Sequence, residues 1–191
     1  MIGSLFLWIA TIVILAIVIG SFIIIYNGLV RLKRSINKSR KNIDVLLKQR
    51  NDELPKIIDT CKEYMGYEKG VINEVTEKRT EAQKAESPKE EAKADEHVKQ
   101  ILGKLFAVAE DYPELKANKN FQQLQNRISS LEDQIADRRE FYNSTVNTYN
   151  IRINQIPYNI IANLLGYQEK ELFQVPEEEK ADIDISEAFG N

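Results

Sequence analysis

The sequence predicts an all-α protein: a single N-terminal transmembrane helix followed by an antiparallel bundle of three long helices plus a short fourth helix. Three observations predict it. The chain opens on an uncharged apolar run from Leu5 to Tyr26. Beyond that run, apolar residues recur at steps of three and four, the period of a helix that buries one stripe. Only 8 Gly and 5 Pro punctuate 191 residues, and charged residues with Ala, Leu, Gln and Ile dominate after residue 30, which leaves little room for strands.

The first element is LFLWIATIVILAIVIGSFIIIY, Leu5 to Tyr26. A helix of about 20 apolar residues crosses ~30 Å of hydrocarbon, and Trp8 and Tyr26 fall near its ends, where amphipathic rings favour the headgroup zone. A cleaved signal peptide would carry a basic start and a shorter apolar stretch, whereas no charge precedes Arg31. Arg31, Lys33, Arg34, Lys38, Arg40 and Lys41 follow the span before the first acid, Asp44. The positive-inside rule therefore places the body in the cytoplasm and the N-terminus outside, as a single-pass protein of the cell membrane. The expected organisation is a short extracytoplasmic N-terminus (1–4), the span (5–26), a cytoplasmic helical body (27–175) and an acidic, disordered tail (176–191).

Leu29, Leu32, Ile36, Ile43, Leu47, Leu54, Ile58, Cys61, Met65, Ile72 and Val75 form one seam, so one long helix is expected to run out of the membrane. Pro55 lacks an amide donor and crowds the preceding turn; a kink or a restart is expected there, with Asn51 and Asp52 available as caps. The opposite face carries Arg31, Arg34, Lys38, Lys41 and Lys48. Near the bilayer, Arg31, Lys33, Arg34 and Lys38 are candidate contacts for anionic headgroups, and a solvated face is the alternative. Residues 77 to 97 hold no large apolar side chain and are broken at Ser87-Pro88, which predicts a mobile charged loop at about 80–95. A second helix follows with Val98, Ile101, Leu102, Leu105, Phe106 and Ala109 on one face, ending near Tyr112-Pro113. The third carries Phe121, Leu124, Ile128, Leu131, Ile135, Tyr142, Tyr149 and Ile153 up to Pro157; a short apolar helix from Asn159 to Leu165 is stopped by Gly166.

The chemistry that this chain can support is limited by its residue types. The formal charge of -3 suits neither a basic nucleic-acid binder nor an acidic disordered chain, and no aromatic residues interleave the basic stripe, so nucleic acid is not an expected partner. One cysteine, Cys61, permits no internal disulfide and reads as a buried inert thiol. A di-metal bundle site needs Glu-x-x-His on two helices; His97 is the sole histidine and Ala94 precedes it by three. No glycine-rich phosphate loop occurs. No catalytic, cofactor or metal residue is assigned, and neither a cofactor nor a small-molecule substrate is expected. Polar residues near the seams are different: Arg50, Glu68, Arg138 and Arg139 can form buried ionic links that set helix register, or can extend their stems to solvent. Phe141, Tyr142 and Tyr149 form either a partner-binding patch or core packing.

A distributed set of residues goes beyond periodicity. Tyr26-Asn27, Leu29-Val30, Leu54-Pro55, the run LFAVAEDYPELKANKNFQQLQ from Leu105 to Gln125, Phe141-Tyr142-Asn143, Tyr149-Asn150, Pro157 and Ile161-Ala162 together make the chain resemble the LemA family. The resemblance implies a bacterial or related microbial, membrane-anchored, cytoplasm-facing helical bundle without established enzymatic activity. It further implies a scaffold or adaptor role, since some members look like magnetosome-membrane components and others are similar in setting to partners of membrane proteases. The Lys/Glu-rich stretch at 77–97 departs from the family pattern. Three functions are therefore carried forward: a scaffold or adaptor that binds other membrane-associated proteins or itself, a membrane-shaping or lipid-sensing protein, and an accessory factor of a membrane protease.

Overall fold

The computed structural model describes residues 2–65, 69–82, 84, 85 and 87–173. The described residues form six helices and no strand: α1 (Ile2–Tyr64), α2 (Lys69–Ala82), α3 (Pro88–Ala109), α4 (Pro113–Ala117), α5 (Lys119–Asn154) and α6 (Tyr158–Leu164). The all-α class and the apolar N-terminal helix are as the residue pattern predicts. The acidic tail from residue 176 lies outside the described residues, as does Glu68.

Two boundaries differ from expectation. The seam through Val75 is divided between two helices, since α1 ends at Tyr64 and α2 begins at Lys69. At Pro55, where the pattern predicts a kink or a restart, no restart occurs: Pro55 lies inside α1, flanked by buried Leu54, Ile57 and Ile58. Packing of an amphipathic face supplies most of a helix's stability, so one missing donor is tolerated where the neighbouring side chains are fully engaged. The charged stretch expected as a loop at about 80–95 is helical over most of its length. Ser87 caps α3 by accepting from the Glu90 amide at 3.2 Å, while the Glu90 carboxylate accepts from the Ser87 amide at 3.4 Å, with Pro88 in the first turn. That capping box turns Ser87-Pro88 from a breaker into a helix start.

The chain divides into two compact units, Met1–Asp44 with Asp137–Glu171, and Val45–Ala136 with Leu172–Asn191. In the second unit, α1 residues Leu54, Ile57, Ile58 and Cys61 share one core with Ile72 and Val75 of α2, Val98, Ile101, Leu102 and Leu105 of α3, Leu115 of α4, and Phe121 and Ile128 of α5. Phe106 and Phe121 meet edge to face with centroids 6.5 Å apart. Asn118 ties this corner together. Its Oδ1 accepts from the amides of Asn120 and Phe121 at 2.8 and 3.2 Å, capping α5, and its Nδ2 donates to Tyr64 Oη at 3.0 Å.

In the first unit the buried residues among those described are Ile25, Leu29, Ile36, Ser39 and Ile43 of α1, Tyr142, Val146, Tyr149 and Ile153 of α5, and Ile161 and Ala162 of α6. Gly166, at φ +64°, ends α6: its amide donates to the Asn163 carbonyl at 3.2 Å and the Tyr167 amide to the Ala162 carbonyl at 2.9 Å. This left-handed residue with its two reversed bonds closes the helix and turns the chain back. The returning segment runs beside α5. Tyr149 Oη donates to the Gln168 carbonyl at 3.1 Å and Tyr142 Oη to the Glu171 carbonyl at 3.0 Å, and the Asn150 amide side chain exchanges two 2.9 Å bonds with the Lys170 backbone.

Candidate functional site

The most unusual chemistry among the described residues is a buried arginine. Ile36, Ile43, Arg50 and Ile57 lie at seven-residue steps along α1, each buried, so Arg50 occupies a position that the pattern reserves for an apolar side chain. On α3, the seam Ala92, Asp95, Val98, Leu102 likewise contains one charge, Asp95. Glu132 lies beside the buried Leu131 and Ile128 of α5. These three meet: Arg50 Nη1 donates to Glu132 Oε1 at 3.0 Å and makes a short contact with Asp95 Oδ1. Side-chain exposure is 1% for Arg50, 3% for Asp95 and 18% for Glu132. Arg50 Nε finds no hydrogen-bond partner, so even this trio leaves a donor unsatisfied.

Glu132 is largely withdrawn from water between a cation and a second carboxylate. Burial pushes the Glu132 carboxyl above its usual range, and the Asp95 charge pushes the same way, while Arg50 opposes both. Because the folded-state value lies above the unfolded one, Glu132 favours folding while it is protonated, and that contribution is lost as pH rises through the raised value. Thermal unfolding across a pH series should therefore show the native sequence gaining stability relative to Glu132→Gln as pH falls from neutral into the carboxylate range. A difference that is flat over this range would show that burial does not disfavour the Glu132 carboxylate.

Of the polar seam residues expected to form ionic links, Arg50 does so, with Asp95 and Glu132 as its carboxylate partners. Arg138 is exposed and Arg139 half-buried on α5. Asp95 falls in the stretch that its charge makes look like a loop; the Ser87-x-x-Glu90 capping pattern and the spacing of Ala92, Asp95 and Val98 are the signals that reveal it. Tyr142 and Tyr149 do not join Phe141 in a surface patch: both are buried with their hydroxyls on backbone carbonyls, whereas Phe141 is exposed. Burial chiefly, and Tyr167 beside it, raise the Tyr149 phenol above its ordinary value. Arg31, Lys33, Arg34 and Lys38 are all exposed, and Lys33 Nζ lies 5.2 Å from the centre of the Tyr167 ring.

Cys61 is buried among the second unit's apolar residues, and burial pushes its thiol up to about 11. It should resist maleimide at pH 8 in the folded protein and react fully in denaturant; fast labelling of the native chain would contradict its burial. Among the described residues no group of three His, Cys, Asp or Glu side chains is placed to hold a metal ion. Two open surface depressions occur in the second unit. One, of about 440 Å³, is lined by Glu63, Tyr64, Asp111, Tyr112, Pro113 and Glu114. The other, of about 410 Å³, is lined by Lys56, Thr60, Asn120, Gln123, Leu124 and Arg127. Neither has the mainly apolar, enclosed lining of a small-molecule site.

The LemA family model matches residues 39–186, most of the chain beyond the apolar run. Two magnetosome proteins of Paramagnetospirillum magneticum, MamQ 1 and MamQ 2, are each 25% identical over 182 residues, covering 82% of this chain and 67% of the relative. Protein LemA of Metamycoplasma hominis is 29% identical over 174 residues, covering 88% of this chain and 80% of its own.

Proposed function

Because the chain belongs to the LemA family, we propose that it is a membrane-anchored, non-enzymatic helical scaffold or adaptor, which binds other membrane-associated proteins or further copies of itself. The observation that carries this reading is α1. Its uncharged run from Leu5 to Tyr26 is exposed at nearly every position, Ile25 being the buried one, and the same helix continues into residues buried in both compact units, among them Leu29, Ile43 and Leu54. An exposed apolar run of this length needs a hydrocarbon environment. The charge asymmetry after Tyr26 supports a cytoplasmic body. The buried ion pairs of Arg50 with Asp95 and Glu132 join three helices, a use of charge that suits a structural role.

Proximity cross-linking of the full-length protein in its native membrane tests the proposal. The expected result is retention in the membrane fraction after alkaline carbonate washing, with capture dominated by its own copies or by one membrane protein. Release by carbonate, or capture of neither, overturns it. A membrane-sensing role is favoured by a separate observation, the exposed cations Arg31, Lys33, Arg34 and Lys38 directly after the span. Reversing Arg31, Arg34 and Lys38 to Glu should then abolish any preference of the reconstituted protein for anionic over neutral vesicles; an unchanged preference removes this second reading.

A further inference from the structure

A second apolar surface lies outside the span. From Ile153 to Gln168 the chain carries no Asp, Glu, Lys or Arg, although 29% of the whole chain is charged. This stretch contains α6 and its two turns. One side of it is packed, with Ile153, Ile161 and Ala162 buried. The other is bare: Ile156 is 82% exposed, Ile160 66%, Leu164 74% and Leu165 39%. Scattered exposed apolar residues are ordinary, but four on one hairpin tip within an uncharged segment need a partner.

The position of this tip within the first unit identifies the partner. The Tyr167 ring lies 5.2 Å from Lys33 Nζ and 6.4 Å from the Tyr149 ring, which brings those levels of α1 and α5 together. Ile25, inside the apolar run, is buried, as is Leu29. Within this unit, the apolar end of α5 leads through Ile153 into α6, whereas the other end starts with Asp137, Arg138, Arg139 and Glu140. The apolar end of α5 therefore lies on the side of Lys33 toward Ile25. At about 1.5 Å per helical residue, Tyr26 lies ~10 Å from Lys33 along α1, and Asn154, the last residue of α5, lies ~8 Å from Tyr149, with Ile156 in the turn just beyond it. The tip thus stands at the level where the apolar run of α1 ends. Arg152, with its guanidinium 5.3 Å from the centre of the Tyr158 ring, and Tyr26 supply basic and aromatic groups suited to the headgroup zone around it.

The geometry points to a second membrane contact: the tip bearing Ile156, Ile160, Leu164 and Leu165 inserts into the lipid interface beside α1. The inference rests on Leu5–Tyr26 being a membrane span. Two points of insertion hold α1 and the end of α5 at a defined height and restrict rotation of the unit about the bilayer normal. A single span leaves that rotation free. The occupant of the apolar face is lipid because the face adjoins the span itself and belongs to a segment, Ile153 to Gln168, that carries no charge.

The test uses the full-length protein in phosphatidylcholine vesicles, with a nitrobenzoxadiazole label on Ile160→Cys or Leu164→Cys and a control label on the exposed Ser144→Cys. Cys61 is buried and stays unlabelled. Lipids with a nitroxide on the acyl chain report contact with hydrocarbon, and the single tryptophan, Trp8, reports on the span in the same sample. The expected result is loss of most emission from Trp8 and from labels at 160 and 164, with the label at 144 unaffected. If Trp8 is quenched while 160 and 164 behave like 144, the tip does not enter lipid and the anchor stands. If the labels are shielded from aqueous iodide yet untouched by lipid nitroxide, protein covers the tip and the inference is overturned. If Trp8 itself escapes quenching, the span reading fails and takes this inference with it.

Discussion

Arg50→Met is expected to destabilise the second unit by about 3–5 kcal/mol, the usual effect of removing one partner from a buried ionic group. The guanidinium touches Asp95 and Glu132 from a position with 1% exposure, so its loss removes one charge-assisted contact from each of two carboxylates that are largely out of water. Methionine nearly matches the stem in volume, which separates the loss of charge from the loss of packing. Arg50→Lys should also be harmful, because an ammonium cannot reproduce the planar fork. The combined change of Arg50→Met, Asp95→Leu and Glu132→Leu should restore stability to the native level or raise it by about 1–4 kcal/mol, since the desolvation of all three charges is then avoided. Denaturant unfolding in detergent, followed by circular dichroism, measures each case. A single Arg50→Met variant within about 1 kcal/mol of the native chain would mean that water reaches the two carboxylates.

Leu105→Ala should lower stability by about 2–5 kcal/mol, from lost apolar burial together with the cavity that remains. Leu105 is fully buried on α3 in the cluster that also includes Leu54, Ile58 and Ile128, drawn from different helices. None of these can move toward the void without losing its own contacts. Val45→Ala, at a site 55% exposed, is the matched control and should stay within about 0.5 kcal/mol. Hydrogen exchange locates the effect: amides of α2 and α3 should lose protection first. Equal effects at the two sites would show that the second unit has no close-packed core.

Much of the fold is legible because its determinants are local. The Leu5–Tyr26 run is recognised by length and lack of charge, and the seams on α1, α3 and α5 by their step of three or four. The short helix ending at Gly166 was placed within a residue or two, because an αL glycine is read from a single position. The charged stretch was harder. A segment without large apolar residues looks unable to bury a face, yet Ala92 and Asp95 are buried there, one small enough to approach closely and the other paired. The distributed family residues also acquire separate physical roles: Tyr149 and Asn150 hold the returning segment, and Asn118 caps α5 while holding Tyr64.

By itself, the sequence determined the helical class, the apolar run and the residues that face inward along each long helix. Those properties follow from length, charge and a 3.6-residue period, all measured along one stretch of chain. Only the tertiary structure decided that the first seam breaks after Tyr64, that Arg50 is neutralised by Asp95 and Glu132, and that Tyr142 and Tyr149 close over carbonyls of a returning segment. Each of these depends on which faces of sequence-distant helices meet, and a buried charge reveals its partner only when the surfaces that exclude water from both have come together.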